Sequence, residues 1–199
     1  MLQLISIFIG YLLGCFQTSF LIGRVFNKVD IRELGSGNAG TTNAIRVLGW
    51  KAGVLTFLGD FLKAVVAIVL VRIVFDGQAY ALYAGLGVIL GHNFPFYLMF
   101  KGGKGIAATA GVLTAFDYRI ALVACLLFIA IVALTRLVSL GSLLLATWIP
   151  VGMYLFYRQN IEIIVLGFVF MFLAFYRHKA NIKRLIQGNE NKLGQKKLT

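Results

Sequence analysis

The sequence predicts an all-α fold: a polytopic membrane helix bundle of about seven transmembrane helices, in one domain that spans residues 1–199. Hydrophobic residues make up 60% of the 199 residues and charged residues only 13%, a composition typical of integral membrane proteins. Apolar stretches near the length of about 20 residues that a spanning helix needs recur along the whole chain. The alternating ten-residue pattern of a membrane β-barrel is absent.

Seven apolar stretches are candidate spans. They are Leu2–Gly23, Ala52–Phe75, Ala79–Phe100, Ile106–Phe116, Arg119–Leu137, Leu140–Tyr157 and Ile161–Tyr176. The first stretch precedes its nearest cation, Arg24, whereas a signal peptide begins with cations, so we expect a retained span. At 1.5 Å per residue, Ile106–Phe116 is too short to cross about 30 Å unless it is tilted or the membrane is thinned. Thr41–Gly49 indicates a short re-entrant or interfacial helix.

The distribution of cations predicts an orientation. With seven spans and an outside N-terminus, one side of the membrane carries most of the basic residues, and the other keeps only Arg72, Arg119 and Arg158 near span ends. The basic side carries Arg24, Lys28, Arg32, Arg46, Lys51, Lys101, Lys104, Arg136, Arg177, Lys179 and the basic tail. Because cytoplasmic loops are enriched in lysine and arginine, we expect an outside N-terminus and a cytoplasmic C-terminus. The three glycine-rich or polar-rich motifs then lie on the cytoplasmic face.

The first motif, "LGSGNAGTTNAIR", begins at Leu34 and ends at Arg46. Its glycines allow backbone N–H groups to turn toward one point, and a helix that starts near Thr41 adds the positive end of its dipole. Side-chain donors accompany these groups, with Arg46 one turn further on; they are Ser36, Asn38, Thr41, Thr42 and Asn43. The motif indicates an anion-binding loop, although a flexible connection capped by Thr41 or Thr42 is the simpler alternative.

The second motif, "KGGKG", begins at Lys101 and ends at Gly105. It lacks the serine or threonine that follows the lysine of a nucleotide-binding P-loop, and no strand precedes it. Backbone N–H groups of Gly102 and Gly103, together with the ammonium of Lys104, can still bind a phosphate at the start of the next helix. A lysine that reaches the membrane surface explains Lys101 well, but it does not explain the three glycines.

The third motif, "RHKANIKR", contains His178 and Asn181, which a helix would place on one face. We expect these two hydrogen-bonding residues to belong to a site, with Ser142 as a further member. The cations around them indicate an anchor for anionic lipid headgroups. These cations are Lys179, Lys183, Arg184, Lys192, Lys196 and Lys197.

Three polar residues lie deeper in the predicted spans. Asp60 and Lys63 are three residues apart, so we expect a mutual ion pair that points into the bundle and supports the structure or the site. His92 precedes Asn93 and Pro95. A buried histidine beside a proline-loosened turn and a histidine of the site are equally compatible with this sequence.

Several kinds of site have no support in the sequence. Cys15 and Cys125 lie within apolar stretches and form no metal-binding motif, so we expect them to be packing residues. The seven carboxylates do not cluster, so we predict no metal site and no cofactor. No GxSxG or HxxxxD pattern occurs. The remaining groups are cations, N–H donors and hydroxyls, which suit phosphorylated substrates, one of which is already activated.

The segments "GSGNAGTTNAIRVLG", "GHNFPFYLMFKGGKGIAATAG" and "RHKANIKRLIQGNE" resemble the three loop motifs of the bacterial acyl-phosphate:glycerol-3-phosphate acyltransferases. The resemblance extends over essentially the whole chain. It implies a seven-helix bundle in the bacterial cytoplasmic membrane. It also implies transfer of a fatty acyl group from acyl phosphate to the 1-hydroxyl of glycerol 3-phosphate, which yields lysophosphatidate and inorganic phosphate.

This reaction needs two anion sites, and the residues above can be assigned to them. We expect the acyl-phosphate head to be bound by Ser36, Asn38, Thr41, Gly102, Gly103 and Lys104. We expect glycerol 3-phosphate to be bound by Arg46, Lys104, Ser142, His178 and Asn181. Ser36, Lys104 and His178 are the candidate catalytic residues. Because an acyl phosphate already carries a good leaving group, its own phosphate oxygen can take the hydroxyl proton, and no enzyme nucleophile is needed.

Alternatives remain at this point. Ser36 could instead act as a covalent nucleophile. A membrane transporter of organic phosphates would also use broken helices, glycines and cations, but near the midplane. A lipid-binding scaffold would not need the glycine–lysine arrangement.

Overall fold

The computed structural model describes residues 1–194, and this part of the chain is entirely helical, with ten α-helices, two short 3-10 helices and no strand. The α-helices are α1 (Leu2–Gly14), α2 (Thr18–Phe26), α3 (Thr41–Leu48), α4 (Trp50–Val74), α5 (Gln78–Asn93), α6 (Ile106–Phe116), α7 (Tyr118–Thr135), α8 (Val138–Tyr157), α9 (Ile161–Arg177) and α10 (Lys179–Ile186). The 3-10 helices are Ile31–Glu33 and Phe96–Leu98.

Four segments of this described part are long and apolar enough to cross a membrane: Leu2–Phe26, Trp50–Val74, Tyr118–Thr135 and Val138–Tyr157. α9 and α10 add a fifth if they are taken together as one span bent by 66°. The all-helical membrane class is therefore confirmed. The count of seven and the orientation of the termini stay predictions. α6 has the predicted bounds and is only 11 residues long.

Two compact units divide the chain, Met1–Tyr118 and the segment from Arg119 onward. In the first unit α1 packs on α5, and α4 packs on α3, α5 and α6. In the second unit α8 packs on α9, and α10 contacts both of these helices. The prediction of one functional domain over residues 1–199 stays a prediction.

Paired glycines set the contact between α1 and α5. A Cβ on Gly10 or Gly14 of α1 would overlap the carbonyl oxygen of Ala84 or Val88 on α5. The reverse also holds, because a Cβ on Gly87 or Gly91 of α5 would overlap backbone carbonyls of α1. Each helix thus places two glycines four residues apart against its partner. Small residues at this spacing allow membrane helices to approach closely.

The first unit has two helix breaks, and side chains near each break donate hydrogen bonds to backbone carbonyls at the other. α1 and α2 are separated by residues 15–17, and the carbonyl oxygen of Cys15 accepts a hydrogen bond from Tyr97 Oη at 2.9 Å. α5 ends at Asn93, two residues before Pro95, whereas the sequence predicted a span up to Phe100. Proline cannot donate a backbone hydrogen bond, and it disfavours the helical conformation of the residue before it.

Polar side chains complete this exchange. Tyr11 Oη donates to the carbonyl oxygen of Phe94 at 2.9 Å, and Gln17 Nε2 donates to that of His92 at 2.9 Å. Carbonyls freed by a helix break are costly in a membrane unless a partner is supplied. The two breaks are therefore mutually stabilised.

Candidate functional site

Asn43 organises the first glycine loop, which connects the 3-10 helix Ile31–Glu33 to α3. Its Oδ1 accepts a hydrogen bond from the backbone N–H of Ser36 at 2.8 Å. Its Nδ2 donates to the carbonyl oxygens of Ile31 and Leu34, each at 3.0 Å. The Asn43 side chain is buried, so it shapes the loop and does not face a ligand, which differs from the expectation that it is one of the donors to an anion.

α3 begins at Thr41, as the motif predicted, after the extended N-cap residue Gly40. The N-cap has no side-chain hydrogen bond, so neither Thr41 nor Thr42 caps this helix. The Oγ1 atom of Thr41 is buried and has no hydrogen-bond partner within residues 1–194. The start of α3 thus retains backbone donors and the positive end of the helix dipole, as an anion site requires.

A buried carboxylate holds the arginine that connects the segment before this loop to the segment before the second loop. Asp30 accepts hydrogen bonds from Arg32 Nε and Nη2 at 3.0 and 2.7 Å, and from Arg24 Nη2 at 3.1 Å. The guanidinium of Arg32 lowers the pKa of Asp30 to about 2, against the opposing effect of burial. Arg32 Nη1 also donates to the carbonyl oxygen of Leu98 at 2.9 Å. One arginine therefore links both segments.

The backbone of the second glycine loop is hydrogen-bonded to the C-terminal end of α5. The N–H of Gly102 donates to the carbonyl oxygen of Asn93 at 3.2 Å, and the N–H of Gly103 donates to that of His92 at 3.0 Å. The expectation that these two N–H groups bind phosphate does not fit this arrangement, because both already bind the end of α5. The glycines have a steric role, since a Cβ on Gly102 would also overlap the carbonyl oxygen of His92.

The two glycine loops meet at Gly103. A Cβ on this residue would lie 2.5 Å from the carbonyl oxygen of Ala39 in the first loop, and it would overlap Nε2 of the His92 ring. Only glycine allows these three backbone and side-chain groups to approach so closely. The structure therefore brings the first and second motifs together, with Lys104 directly after the point of contact.

The predicted residues of the first unit differ in exposure. Ser36 and Arg46 are exposed, whereas Asn38, Thr41 and Lys104 are half-buried. Of the two lysines in the second loop, Lys101 is exposed. α6 begins after Gly105, which has a left-handed backbone with φ of 82° and no side-chain cap. Like α3, it has a glycine N-cap without a side-chain hydrogen bond.

The predicted ion pair between Asp60 and Lys63 is present, and both side chains are buried. Lys63 Nζ lies 2.8 Å from Asp60 Oδ1, which also accepts a hydrogen bond from Thr18 Oγ1 at 3.2 Å. The same Nζ lies 3.0 Å from Nδ1 of His92. His92 therefore belongs to a buried polar network, and its ring reaches from this ion pair to the glycine loop.

In the second unit, Ser142 lies inside α8, in the first turns of this helix. α8 starts at Val138, so the predicted start of this apolar stretch at Leu140 was two residues late. The hydroxyl of Ser142 donates to the carbonyl oxygen of Val138 at 2.8 Å. A serine hydroxyl can accept a hydrogen bond while it donates one, so this contact leaves a ligand role open to Ser142.

His178 lies at the junction of α9 and α10. Its Nδ1 is 2.7 Å from the carbonyl oxygen of Ala174. Because a carbonyl can only accept, the proton of the neutral ring lies on Nδ1, and Nε2 carries the lone pair. The ring is buried.

Glu190 holds Asn181, a contact that the sequence motif did not suggest. Asn181 Nδ2 donates to Glu190 Oε1 at 2.7 Å, and Arg184 Nε donates to Oε2 at 2.7 Å. The segment after α10 is held further on, where Arg136 Nη2 donates to the carbonyl oxygen of Leu193 at 2.8 Å. Two of the expected headgroup-binding cations, Lys196 and Lys197, lie outside the described residues.

No group of three or more His, Cys, Asp or Glu side chains within residues 1–194 is arranged to hold a metal ion. Several residues that shape the site were not identified from the sequence, namely Gln17, Asp30, Arg32, Tyr97 and Glu190. Asp30 had a recognisable signal, because it lies two residues before Arg32 and caps the 3-10 helix. The others act on backbone groups or on residues distant in the sequence.

Comparison with known proteins identifies close relatives. The family profile "Glycerol-3-phosphate acyltransferase" matches residues 4–188. The glycerol-3-phosphate acyltransferase of Alkaliphilus metalliredigens (strain QYMF) is 43% identical over 196 residues, which are 98% of each chain. That of Halalkalibacterium halodurans (strain ATCC BAA-125 / DSM 18197 / FERM 7344 / JCM 9153 / C-125) is 43% identical over 195 residues, 96% of this chain and 95% of the relative.

Two crystal structures of PlsY (YgiH), an integral membrane glycerol 3-phosphate acyltransferase, are also similar to this chain at 34% sequence identity. The glycerol 3-phosphate form matches with a TM-score of 0.89 over 96% of each chain. The lysophosphatidic acid form matches with a TM-score of 0.85 over 96% of this chain and 95% of the other.

Proposed function

Because the chain belongs to the glycerol-3-phosphate acyltransferase family, we propose that its acyl donor is an acyl phosphate and its acceptor is the 1-hydroxyl of glycerol 3-phosphate. The products are lysophosphatidate and inorganic phosphate. Family membership makes the chain an integral membrane enzyme, so the organic-phosphate transporter has no further support. The observation that carries the proposed donor is the meeting of two glycine loops at Gly103, directly before Lys104.

The acyl-phosphate head is assigned to Ser36, Asn38, Thr41 and Lys104, beside the uncapped start of α3. Gly102 and Gly103 contribute through their lack of a side chain, which allows the close approach of His92 and Ala39. A half-buried ammonium and a helix N-terminus are suited to a doubly charged phosphoryl group. This arrangement supports binding of a phosphorylated donor and needs no metal ion to neutralise it.

Glycerol 3-phosphate is assigned to Arg46, Lys104, Ser142, His178 and Asn181. Arginine and lysine suit its phosphate, and the other three suit its hydroxyls. The lone pair on Nε2 of neutral His178, which follows from the Nδ1 contact with Ala174, can accept a hydrogen bond from a substrate hydroxyl. His178 then orients the acceptor for attack.

The reaction is substrate-assisted in this proposal. The 1-hydroxyl oxygen attacks the carbonyl carbon of the acyl phosphate, and the bond from that carbon to the phosphate oxygen breaks. The hydroxyl proton passes to the departing phosphate, and Lys104 stabilises the negative charge that develops. Atoms and charges balance without a covalent enzyme intermediate or a cofactor.

The test is an assay of detergent-purified enzyme with glycerol 3-phosphate and acyl phosphate, in which release of inorganic phosphate is followed in the presence of EDTA. We expect steady release that depends on both substrates and a product acylated at position 1. Acyl-CoA as the alternative donor is the control. Turnover with acyl-CoA but not with acyl phosphate contradicts the donor, and release that requires a divalent cation contradicts the metal-free mechanism.

Ser36 as a covalent nucleophile is the rival mechanism, and its exposure in the first loop would permit it. Incubation with radiolabelled acyl phosphate without glycerol 3-phosphate, followed by acid quenching, separates the two mechanisms. We expect no labelled protein. A label that disappears in Ser36→Ala would replace the substrate-assisted mechanism with an acyl-enzyme.

The seven-helix topology and the cytoplasmic position of the site are part of the same proposal, and the excess of cations in the segments assigned to that face supports them. The two native cysteines are buried or half-buried, so an added cysteine is readily labelled against a low background. We expect Lys101→Cys to resist a membrane-impermeant maleimide in intact spheroplasts and to react after lysis. Labelling in intact spheroplasts would indicate the opposite orientation and contradict the proposal.

A further inference from the structure

Lys63 uses all three hydrogens of its ammonium group, each on a different partner. Nζ lies 2.5 Å from the carbonyl oxygen of Phe16, 2.8 Å from Asp60 Oδ1 and 3.0 Å from His92 Nδ1. A charged lysine is a donor only. Nδ1 of His92 therefore accepts, and the proton of its neutral ring lies on Nε2. The ion pair fixes both the tautomer and the rotation of the imidazole.

The opposite edge of that ring lies against Gly103. A Cβ on Gly103 would overlap Nε2 and lie 2.8 Å from Cε1 of His92. The carbonyl oxygen of His92 accepts the N–H of Gly103 at 3.0 Å and Gln17 Nε2 at 2.9 Å. Gly103 is thus held by the ring and by the backbone of one residue.

The same Cβ would lie 2.5 Å from the carbonyl oxygen of Ala39, so the His92 ring and the first loop meet beside Gly103. The position of the His92 ring therefore sets how far the second loop lies from the first. An apolar pair would pack α4 against its neighbours at a lower desolvation cost than a buried ion pair. Apolar side chains could not fix the orientation of an imidazole.

We propose that His92 is a positioning residue, held by Lys63 and Asp60, that places Lys104 for the reaction. The inference rests on the proposed function, in which Lys104 is the cation that acts on acyl phosphate. It assigns to this buried network a contribution to turnover that is separate from its contribution to stability.

Two substitutions of His92 separate these contributions. The amide of His92→Asn reaches the position of Nδ1, so it keeps a partner for Lys63 but leaves space beside Gly103. The longer His92→Gln reaches the position of Nε2 beside Gly103 but removes the acceptor for Lys63. A positioning role therefore predicts that the two variants rank in opposite order for stability and for activity. His92→Asn should be the more stable variant and His92→Gln the more active one.

The measurements are kcat, KM for each substrate and Tm of the detergent-purified full-length variants. We expect kcat/KM for acyl phosphate to be about tenfold higher in His92→Gln than in His92→Asn, since a displacement near 1 Å can cost about 100-fold. His92→Ala should be the least active. Thr56→Ala is the matched control, because Thr56 is buried on the same helix as Lys63 and donates only to its own helix at Ala52. It should retain wild-type kinetics.

The outcomes are decisive even if His92→Ala does not fold, because the Gln and Asn variants then carry the comparison. Activity that ranks with Tm, or Asn as active as Gln, overturns the inference and leaves His92 a structural residue. Failure of the proposed function has a different signature, namely normal turnover in Lys104→Ala. Loss in Lys104→Ala with wild-type kinetics in all His92 variants overturns only the positioning role.

Discussion

Gly14 on α1 lies directly against the backbone of Val88 on α5, so closely that a Cβ on Gly14 would overlap the Val88 carbonyl oxygen and lie 2.7 Å from its Cα. Backbone atoms cannot rotate away as a side chain can. The contact between the two helices therefore depends on the absence of a side chain at this position.

Gly14→Leu should separate the two helices and lower stability. Overpacking usually costs about 1–3 kcal/mol, and a contact with backbone belongs at the upper end, so we expect an apparent Tm about 5–10 °C lower. The measurement is thermal unfolding of the detergent-purified variant. Leu4→Ala, an exposed position on the same helix, is the control and should leave Tm almost unchanged. A Tm equal to the wild type in Gly14→Leu would contradict the close packing.

Stability should depend on pH through Asp30. Hydrogen bonds from Arg32 lower its pKa to about 2 in the folded protein, whereas an unfolded aspartate titrates near 3.9. The carboxylate therefore stabilises the fold fully above about pH 4, by up to about 2 kcal/mol, and this contribution is lost as pH falls from about 4 through about 2.

Asp30→Asn isolates this effect because it keeps the shape and removes the charge. We expect the wild type to exceed the variant in the free energy of unfolding by a constant amount between about pH 5 and 7, and the difference to vanish toward about pH 2. Urea titrations in detergent at several pH values measure it. A difference that is unchanged near pH 2 would show that the carboxylate is not held as an anion.

Lys104 and Lys101 form a natural matched pair, three residues apart in one loop. Lys104 is half-buried next to the contact between the two glycine loops, and Lys101 is exposed. We expect Lys104→Ala to lower kcat/KM for acyl phosphate about 100-fold and Lys101→Ala to change it by less than about threefold. Steady-state phosphate release measures both. Equal losses would mean that the loop contributes only general positive charge.

Glu190 should affect the binding of glycerol 3-phosphate through its contact with Asn181 more than through its contact with Arg184. Removal of its side chain in Glu190→Ala frees the Asn181 amide from a 2.7 Å hydrogen bond, and we expect KM for glycerol 3-phosphate to rise about tenfold. Arg184→Ala removes the other partner of the carboxylate but keeps the contact with Asn181. That control should raise KM less, and the prediction fails if the two variants behave alike.

Local signals in the sequence predicted several parts of this structure correctly. Thr41 as the start of α3 followed from the glycine before it, and the pairing of Asp60 with Lys63 followed from their spacing on one helix face. The bounds of α6 followed from the limits of the apolar stretch Ile106–Phe116. In each case the residues that decide the outcome are neighbours in the chain.

Features that depend on distant backbone atoms were not predicted. The apolar run through Cys15 hides the break between α1 and α2, because the Tyr97 hydroxyl that stabilises it is 82 residues away in the sequence. The N–H groups of Gly102 and Gly103 were assigned to a ligand because the carbonyls that accept them belong to the end of another helix. Pro95 was visible, but the hydrophobicity that continues to Phe100 outweighed it.

The exchange of hydrogen bonds between the two interrupted helices couples their effects on stability. In a mutant with either helix made continuous, the carbonyls at the former break would form hydrogen bonds within that helix. The hydroxyl of Tyr97 or Tyr11 would then lose its acceptor in an apolar environment, which is costly. Neither interruption can be lost alone without penalty. The two irregular segments are thus energetically coupled, and the position of the glycine loop that follows the second of them depends on both.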